Sequence, residues 1–195
     1  MTTTTATAVA TATSRSDVLV RPARPDDAAS VALIHHRGWT ESYRSLVPDA
    51  YLDSLSYDAG LARWTSAFVD GSPESVLVAD LGAQVVGFVG VGPTTDPDAT
   101  AAGEVWDLWV DPAYRSQGVG ALLLDAGLAL LARRHPAALV WVLEANTRGR
   151  AFYARQGAVR DGLQRSTDVP GGTLVEVRLL WGLAERRTHD TGPRR

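Results

Sequence analysis

Val110-Asp111-Pro112-Ala113-Tyr114-Arg115-Ser116-Gln117-Gly118-Val119-Gly120-Ala121-Leu122-Leu123-Leu124 is the stretch on which the reading of this chain turns. An apolar strand runs into Pro112, which cannot continue a ladder and forces a turn. Two glycines then open a long apolar helix. They let the backbone turn tightly, so that successive N–H groups can point at one spot. The helix start adds partial positive charge, and Arg115 adds a full one beside it. The combination suits a pyrophosphate. Glycines that only relieve crowding in a plain strand-to-helix loop are the other reading. A dinucleotide fingerprint is excluded, because no third glycine follows at the required spacing.

Outward from that turn, the remaining elements can be placed by periodicity. Upstream, 17–22 reads as a strand, and Pro25-Asp26-Asp27 opens a helix whose Val31, Leu33, Ile34 and Trp39 recur at helical spacing. Two short helices are expected over 43–68, punctuated by Pro48 and Gly60. A turn at Gly71-Ser72-Pro73 leads to a hairpin of 76–80 and 84–91, a loop over 93–103, and a strand at 104–110. Downstream, the helix runs from Gly118 to about Arg134, followed by a buried strand at 139–145. A short helix at 146–156 precedes two strands joined at Gly171-Gly172. A strand–helix–strand unit around Gly118 requires a parallel pair inside a mostly antiparallel sheet. The expectation is one α/β domain (an α+β mixed sheet) over 17–183, with a disordered leader at 1–16 and a disordered tail at 184–195.

Composition narrows the chemistry. The chain has 195 residues, 45% of them hydrophobic, as in an ordinary globular domain. A net charge of −3 argues against nucleic acid as a partner, and no apolar run is long enough for a membrane span. Cysteine is absent, which removes disulfides, thiolate metal sites and cysteine nucleophiles. Lysine is absent too: all 19 basic residues are arginine, so a lysine-dependent phosphate loop and Schiff-base catalysis are excluded. Adjacent His35 and His36 diverge on a helix and make a poor metal pair, and no metal is expected. The Thr/Ala-rich start lacks the charged and apolar regions of a secretion signal, leaving the cytoplasm as the expected compartment.

Arg115-x-x-Gly118-x-Gly120 after a Leu108-Trp109-Val110-Asp111-Pro112 strand end resembles the pyrophosphate motif of the GNAT superfamily of N-acetyltransferases. A second segment, Asn146 to Gly157 with Tyr153 between, is similar to that family's next motif. It departs at Ala158, where the family often has Phe. The resemblance spans nearly the whole globular region and implies the GNAT acyl-CoA fold with splayed central strands. It implies acetyl-CoA as the acetyl donor. Its diphosphate would be gripped by Arg115, Ser116, Gln117, Gly118, Val119, Gly120 and Ala121, and its arm would lie along Leu108 and Val110, near Asn146 and Tyr153. A bulge in that strand would open the slot and aim an N–H at the thioester oxygen.

The resemblance also makes Tyr153 the proton donor to the leaving thiolate and Glu104 the preferred general base. Strict alternation puts Glu104 and Asp107 on opposite faces of their strand. Asp107 is left as an amine anchor or an arginine partner, and Glu144 as a third carboxylate. Trp39 and Tyr43 are expected core aromatics that also line an acceptor pocket. The implied reaction is direct acetyl transfer to a primary amine, of a small molecule first, of protein N-termini or side chains as the variant. A non-catalytic acyl-CoA-binding module is the reading from another class. A homodimer through edge or C-terminal strands is expected from similar proteins.

Overall fold

The structure is a computed structural model and describes residues 17–70, 75–82, 84–99 and 102–184. The leader at 1–16, the turn at 71–73 and the tail from 185 onward lie outside the described residues. Strands β1 (Leu19–Pro22), β2 (Val76–Asp80), β3 (Val85–Pro93), β4 (Ala102–Val110), β5 (Ala137–Leu143), β6 (Val159–Val169) and β7 (Gly172–Gly182) form one sheet. Its order is β1-β2-β3-β4-β5-β7-β6. Every pairing is antiparallel except β4 with β5, the pair flanking the long apolar helix α4 (Val119–Ala132). Helices α1 (Ala28–Ser42), α2 (Asp49–Asp53) and α3 (Tyr57–Asp70) precede β2, and α5 (Thr147–Arg155) follows β5. The last hairpin folds back so that β7 lies inside, and β6 is left as an exposed edge.

Two cores sandwich the sheet. On one face, Leu123, Leu124 and Leu128 of α4 are fully buried against Val89, Val91 and Val105. Spacing of these leucines at one and four residues gives α4 its buried stripe. On the other face Val31 and Ile34 of α1 and Trp64 and Phe68 of α3 cover Val78 and Phe88. Among the described residues, no helix is long and apolar enough to cross a membrane.

Two irregularities in β4 prepare the site. First, the parallel ladder to β5 covers only Ala102↔Ala137 to Glu104↔Leu139. Beyond Glu104 the two strands diverge, and the β5-facing edge of β4 has no strand partner among the described residues. Second, β4 carries an extra residue: Val91 pairs with Val105, but Gly90 pairs with Asp107. This bulge corrects the strict alternation read from the sequence. Glu104, opposite Gly92, and Asp107, opposite Gly90, share one face, because the added residue advances the pleat by one. The ring of Trp106 packs over Gly92, where a Cβ would collide with it.

Candidate active site

Beyond β4 the turn is locked by its own side chains. Asp111 Oδ1 accepts the Ala113 N–H at 2.9 Å, and Arg37 holds Asp111 Oδ2 at 2.9 Å. Arg115 Nε donates to the Val110 carbonyl at 3.0 Å, pinning the turn onto the strand. Ser116 (φ 63°) and Gly118 (φ 86°) both take the left-handed conformation that bends the chain into the helix. Ala121 and Leu122 donate to Gly118 O, each at 3.1 Å. The N–H groups of Val119 and Gly120, in the first turn, make no hydrogen bond to a backbone carbonyl among the described residues.

Arg148, on the first turn of α5, reaches Ser116 Oγ at 3.2 Å and brings a second guanidinium to this mouth. Burial, then the neighbouring Arg148, lowers the pKa of Arg115. Two crowded cations beside orphan N–H groups form a site that a bound anion would stabilise. The sequence reading missed Arg148, whose position beside the mouth depends on how α5 docks.

From the mouth a cleft of about 830 Å³ runs along the open edge of β4. Leu108, Val110, Arg115, Ser116, Gly118, Gly120, Ala121, Asn146 and Tyr153, all expected from the sequence, line it. Val119 instead turns its side chain into the core, and Gln117 folds back to donate to the Ala113 carbonyl at 3.0 Å. Asn146 caps α5 by accepting the Gly149 N–H at 2.8 Å, and its Nδ2 donates to Tyr43 Oη at 3.2 Å. At the other end of α5, Gly157 (φ 87°) and the Ala158 N–H bonded to Tyr153 O close the helix.

Tyr153 therefore sits on a helix fixed at both ends. Its ring packs edge-on against Phe152 and Trp181, and it is only 8% exposed. Its hydroxyl has no hydrogen-bond partner among the described residues, and burial pushes the phenol well above the ordinary tyrosine range.

The far end of the cleft is aromatic and acidic. Trp39 of α1 and Tyr43, the residue just past its end, meet edge-on at 4.9 Å, and Trp109 lies 5.9 Å from Trp39. Trp106 and Trp141 join the wall, with the carboxylates of Asp107 and Glu176. Asp107 Oδ1 accepts from Trp109 Nε1 at 3.2 Å and lies 3.4 Å from His35 Nε2. Glu176 is paired with Arg165 at 2.6 Å, and Arg165 stacks on Trp141. No local signal marked Glu176, Trp106 or Trp141; they reach the cleft only through strand order and the bulge.

The other two carboxylates stand apart. Glu104 is 8% exposed at the foot of the splay, outside the cleft lining, and accepts from Thr94 Oγ1 at 2.7 Å. Burial is the largest influence on its carboxyl and pushes it above the usual range, with Thr94 opposing. Glu144 is held on the surface by Gln164 and Arg160.

Comparison with known proteins agrees with this geometry. The family model described as the acetyltransferase (GNAT) family matches residues 35–158. YuaI of Bacillus subtilis, named as an uncharacterized N-acetyltransferase, is 31% identical over 166 residues, spanning 84% of this chain and 92% of YuaI. An uncharacterized N-acetyltransferase of Archaeoglobus fulgidus is 32% identical, over 62% of this chain and 81% of its own length. Among solved structures, the YncA acetyltransferase of Salmonella typhimurium with acetyl-CoA superposes with a TM-score of 0.64 at 19% identity. That match covers 85% of this chain and 94% of YncA. With the matched segment running from α1 through the Arg115–Gly120 turn to just past the end of α5, the chain belongs to the GNAT family of acetyltransferases.

Proposed function

We propose that the protein moves the acetyl group of acetyl-CoA directly onto the primary amine of a small molecule, both substrates being bound at once. One observation carries this reading. The turn suited to a diphosphate and the aromatic, acidic end suited to an amine line a single cavity, of a volume typical of small-molecule sites. The residues present fit the donor: orphan N–H groups and two guanidiniums for the diphosphate, and an unpaired strand edge for the amide-bearing arm.

In this reading Asp107 holds the incoming ammonium among Trp39, Tyr43 and Trp109. Glu104, on the same face, takes the ammonium proton through water. The free amine then attacks the thioester carbonyl. As the carbon–sulfur bond breaks, Tyr153 Oη offers its proton to the departing sulfur. The nitrogen, which carries one surplus proton after attack, passes it through water to restore Tyr153, and Glu104 gives up its proton to solvent, so the products are an amide, a thiol and one proton.

Thiol release from acetyl-CoA by the purified protein, measured with and without a panel of primary amines, tests the proposal. Release should appear only when an accepted amine is present. Release that ignores the amine, or calorimetry showing no uptake of coenzyme A, removes the reading.

Glu104 gives a prediction with a definite sign in pH. Its folded pKa is raised, so burial favours the neutral acid. That contribution to stability is complete below the unfolded glutamate pKa of about 4.3 and is lost as pH rises through the folded value. Once ionised, the buried carboxylate costs the fold more than the neutral acid does. Glu104→Gln is therefore expected to raise Tm near pH 7 while lowering kcat/KM by about tenfold, below the usual effect of a direct base. It should also abolish the acid limb of the kcat/KM profile. A limb that persists unchanged rules out the base role.

A further inference from the structure

A second cavity, of about 520 Å³, lies on the α3 side of β4. Asp107 and Trp106 line both cavities, so the two meet at those side chains. The remaining wall of the second cavity includes Arg63, Trp64, Phe68 and Gly90.

Its polar groups are not satisfied by the protein. Trp64 is 6% exposed, and its buried Nε1 has no hydrogen-bond partner. A buried N–H left unpaired is costly, so a group that would accept from it is worth seeking. Arg63 stacks its guanidinium over the Trp64 ring at 4.7 Å and has no ion-pair partner among the described residues. Asp107 Oδ1 accepts from Trp109 Nε1, with His35 Nε2 3.4 Å away, while Oδ2 has no partner among the described residues. A Cβ built on Gly90 would lie 3.9 Å from that oxygen, so Oδ2 borders the second cavity. The cavity thus brings together a buried N–H that lacks an acceptor, an exposed guanidinium with no ion-pair partner among the described residues, and one carboxylate oxygen that lacks a donor.

We propose that this cavity takes the far end of the acceptor, and that the acceptor is an amine carrying a carboxylate at that end. Its ammonium lies on Asp107 Oδ2, its carboxylate on Arg63, and its apolar body against Trp64, Phe68 and Trp106. A single guanidinium with one neutral donor matches a singly charged planar carboxylate, whereas a phosphate dianion calls for more cations. The inference rests on the acetyl-transfer reading and adds the class of acceptor to it. Asp107 then holds the ammonium where the two cavities meet, with acetyl-CoA along the first and the tail of the acceptor in the second.

The test uses ε-aminocaproate, with hexylamine as the relative that lacks the carboxylate. The ω-amino acid should be acetylated with a KM at least about tenfold below that of hexylamine, the worth of one charge-assisted hydrogen bond. In Arg63→Met that difference should vanish. Trp64→Phe, which keeps a ring and removes the N–H, should raise the KM for ε-aminocaproate by about fivefold. Titration of ε-aminocaproate without acetyl-CoA, followed by tryptophan fluorescence, gives a readout independent of turnover, because Trp64 and Trp106 line the cavity. Saturable quenching in the native protein, absent in Arg63→Met, supports the site. Equal KM values for the two amines, or quenching that survives Arg63→Met, overturns it. Failure of coenzyme A to bind would instead strike the acetyl-transfer reading, and the fluorescence titration would still decide on the cavity.

Discussion

Replacing Tyr153 by Phe is expected to lower kcat by about 100-fold and to leave the affinity for acetyl-CoA within about twofold of the native value. The asymmetry follows from what the substitution removes. The ring keeps its contacts with Phe152 and Trp181, so α5 and the capped Asn146 stay in place. Only the hydroxyl goes, and in the free protein it has no partner among the described residues to lose. Burial, with smaller contributions from Tyr43 and Asp107, holds the phenol neutral far into alkaline pH. The donor is thus loaded at every working pH, and no alkaline limb should appear at the ordinary tyrosine pKa of about 10.

The raised pKa also sets the size of the effect. A phenol this weak does not surrender its proton ahead of charge development. In the proposed step it stabilises the leaving sulfur as that sulfur becomes anionic, and a hydrogen bond to a charged group is worth about 1.5–3 kcal/mol. The upper part of that range corresponds to the stated loss in rate. Steady-state kinetics beside calorimetry with acetyl-CoA separates the two quantities. An unchanged kcat in Tyr153→Phe would end the proton-donor assignment.

Asp107→Asn should lower kcat/KM for the acceptor by about 30- to 100-fold through KM, with acetyl-CoA binding intact. The amide oxygen can still accept from Trp109 Nε1, so the aromatic wall keeps its shape. What disappears is the charge facing the ammonium. Because the carboxylate is largely shielded, the native attraction should respond only weakly to added salt. A matched far-ultraviolet spectrum and Tm for the variant would confine the change to the site. If KM stays at the native value, Asp107 is not the anchor, and the link between the two cavities loses its basis.

The two halves of the site differed in how far they could be read in advance. The donor half was legible because it is nearly contiguous: strand, Pro112, Arg115, two glycines and a helix, then Asn146 and Tyr153 on the next short helix. Local backbone conformation makes that kind of site, and local conformation follows from neighbouring residues. Ser116 and Gly118 do adopt the left-handed geometry that the turn needs. Arg148 escaped notice because its reach to Ser116 depends on the docking of α5 beside the turn.

The acceptor half was legible only in part. Trp39 and Tyr43 were expected, but Trp106, Trp141 and Glu176 come from strands that are distant in sequence. Glu176 reaches the cleft because β7, the later strand of the last hairpin, inserts beside β5 and pairs Glu176 with Leu143. A period-two reading also put Glu104 and Asp107 on opposite faces, and one bulged residue reversed it.

By itself the sequence determined a mixed α/β sheet, its parallel unit around α4 and the glycine turn that opens that helix, because turns, caps and periodicity are written in adjacent residues. Only the tertiary structure decided which carboxylates share a face, that Glu104 is secluded while Asp107 stands between two cavities, and which tryptophans wall them. Those outcomes depend on register, bulges and strand insertion, which are set by packing across the whole sheet and leave no local trace.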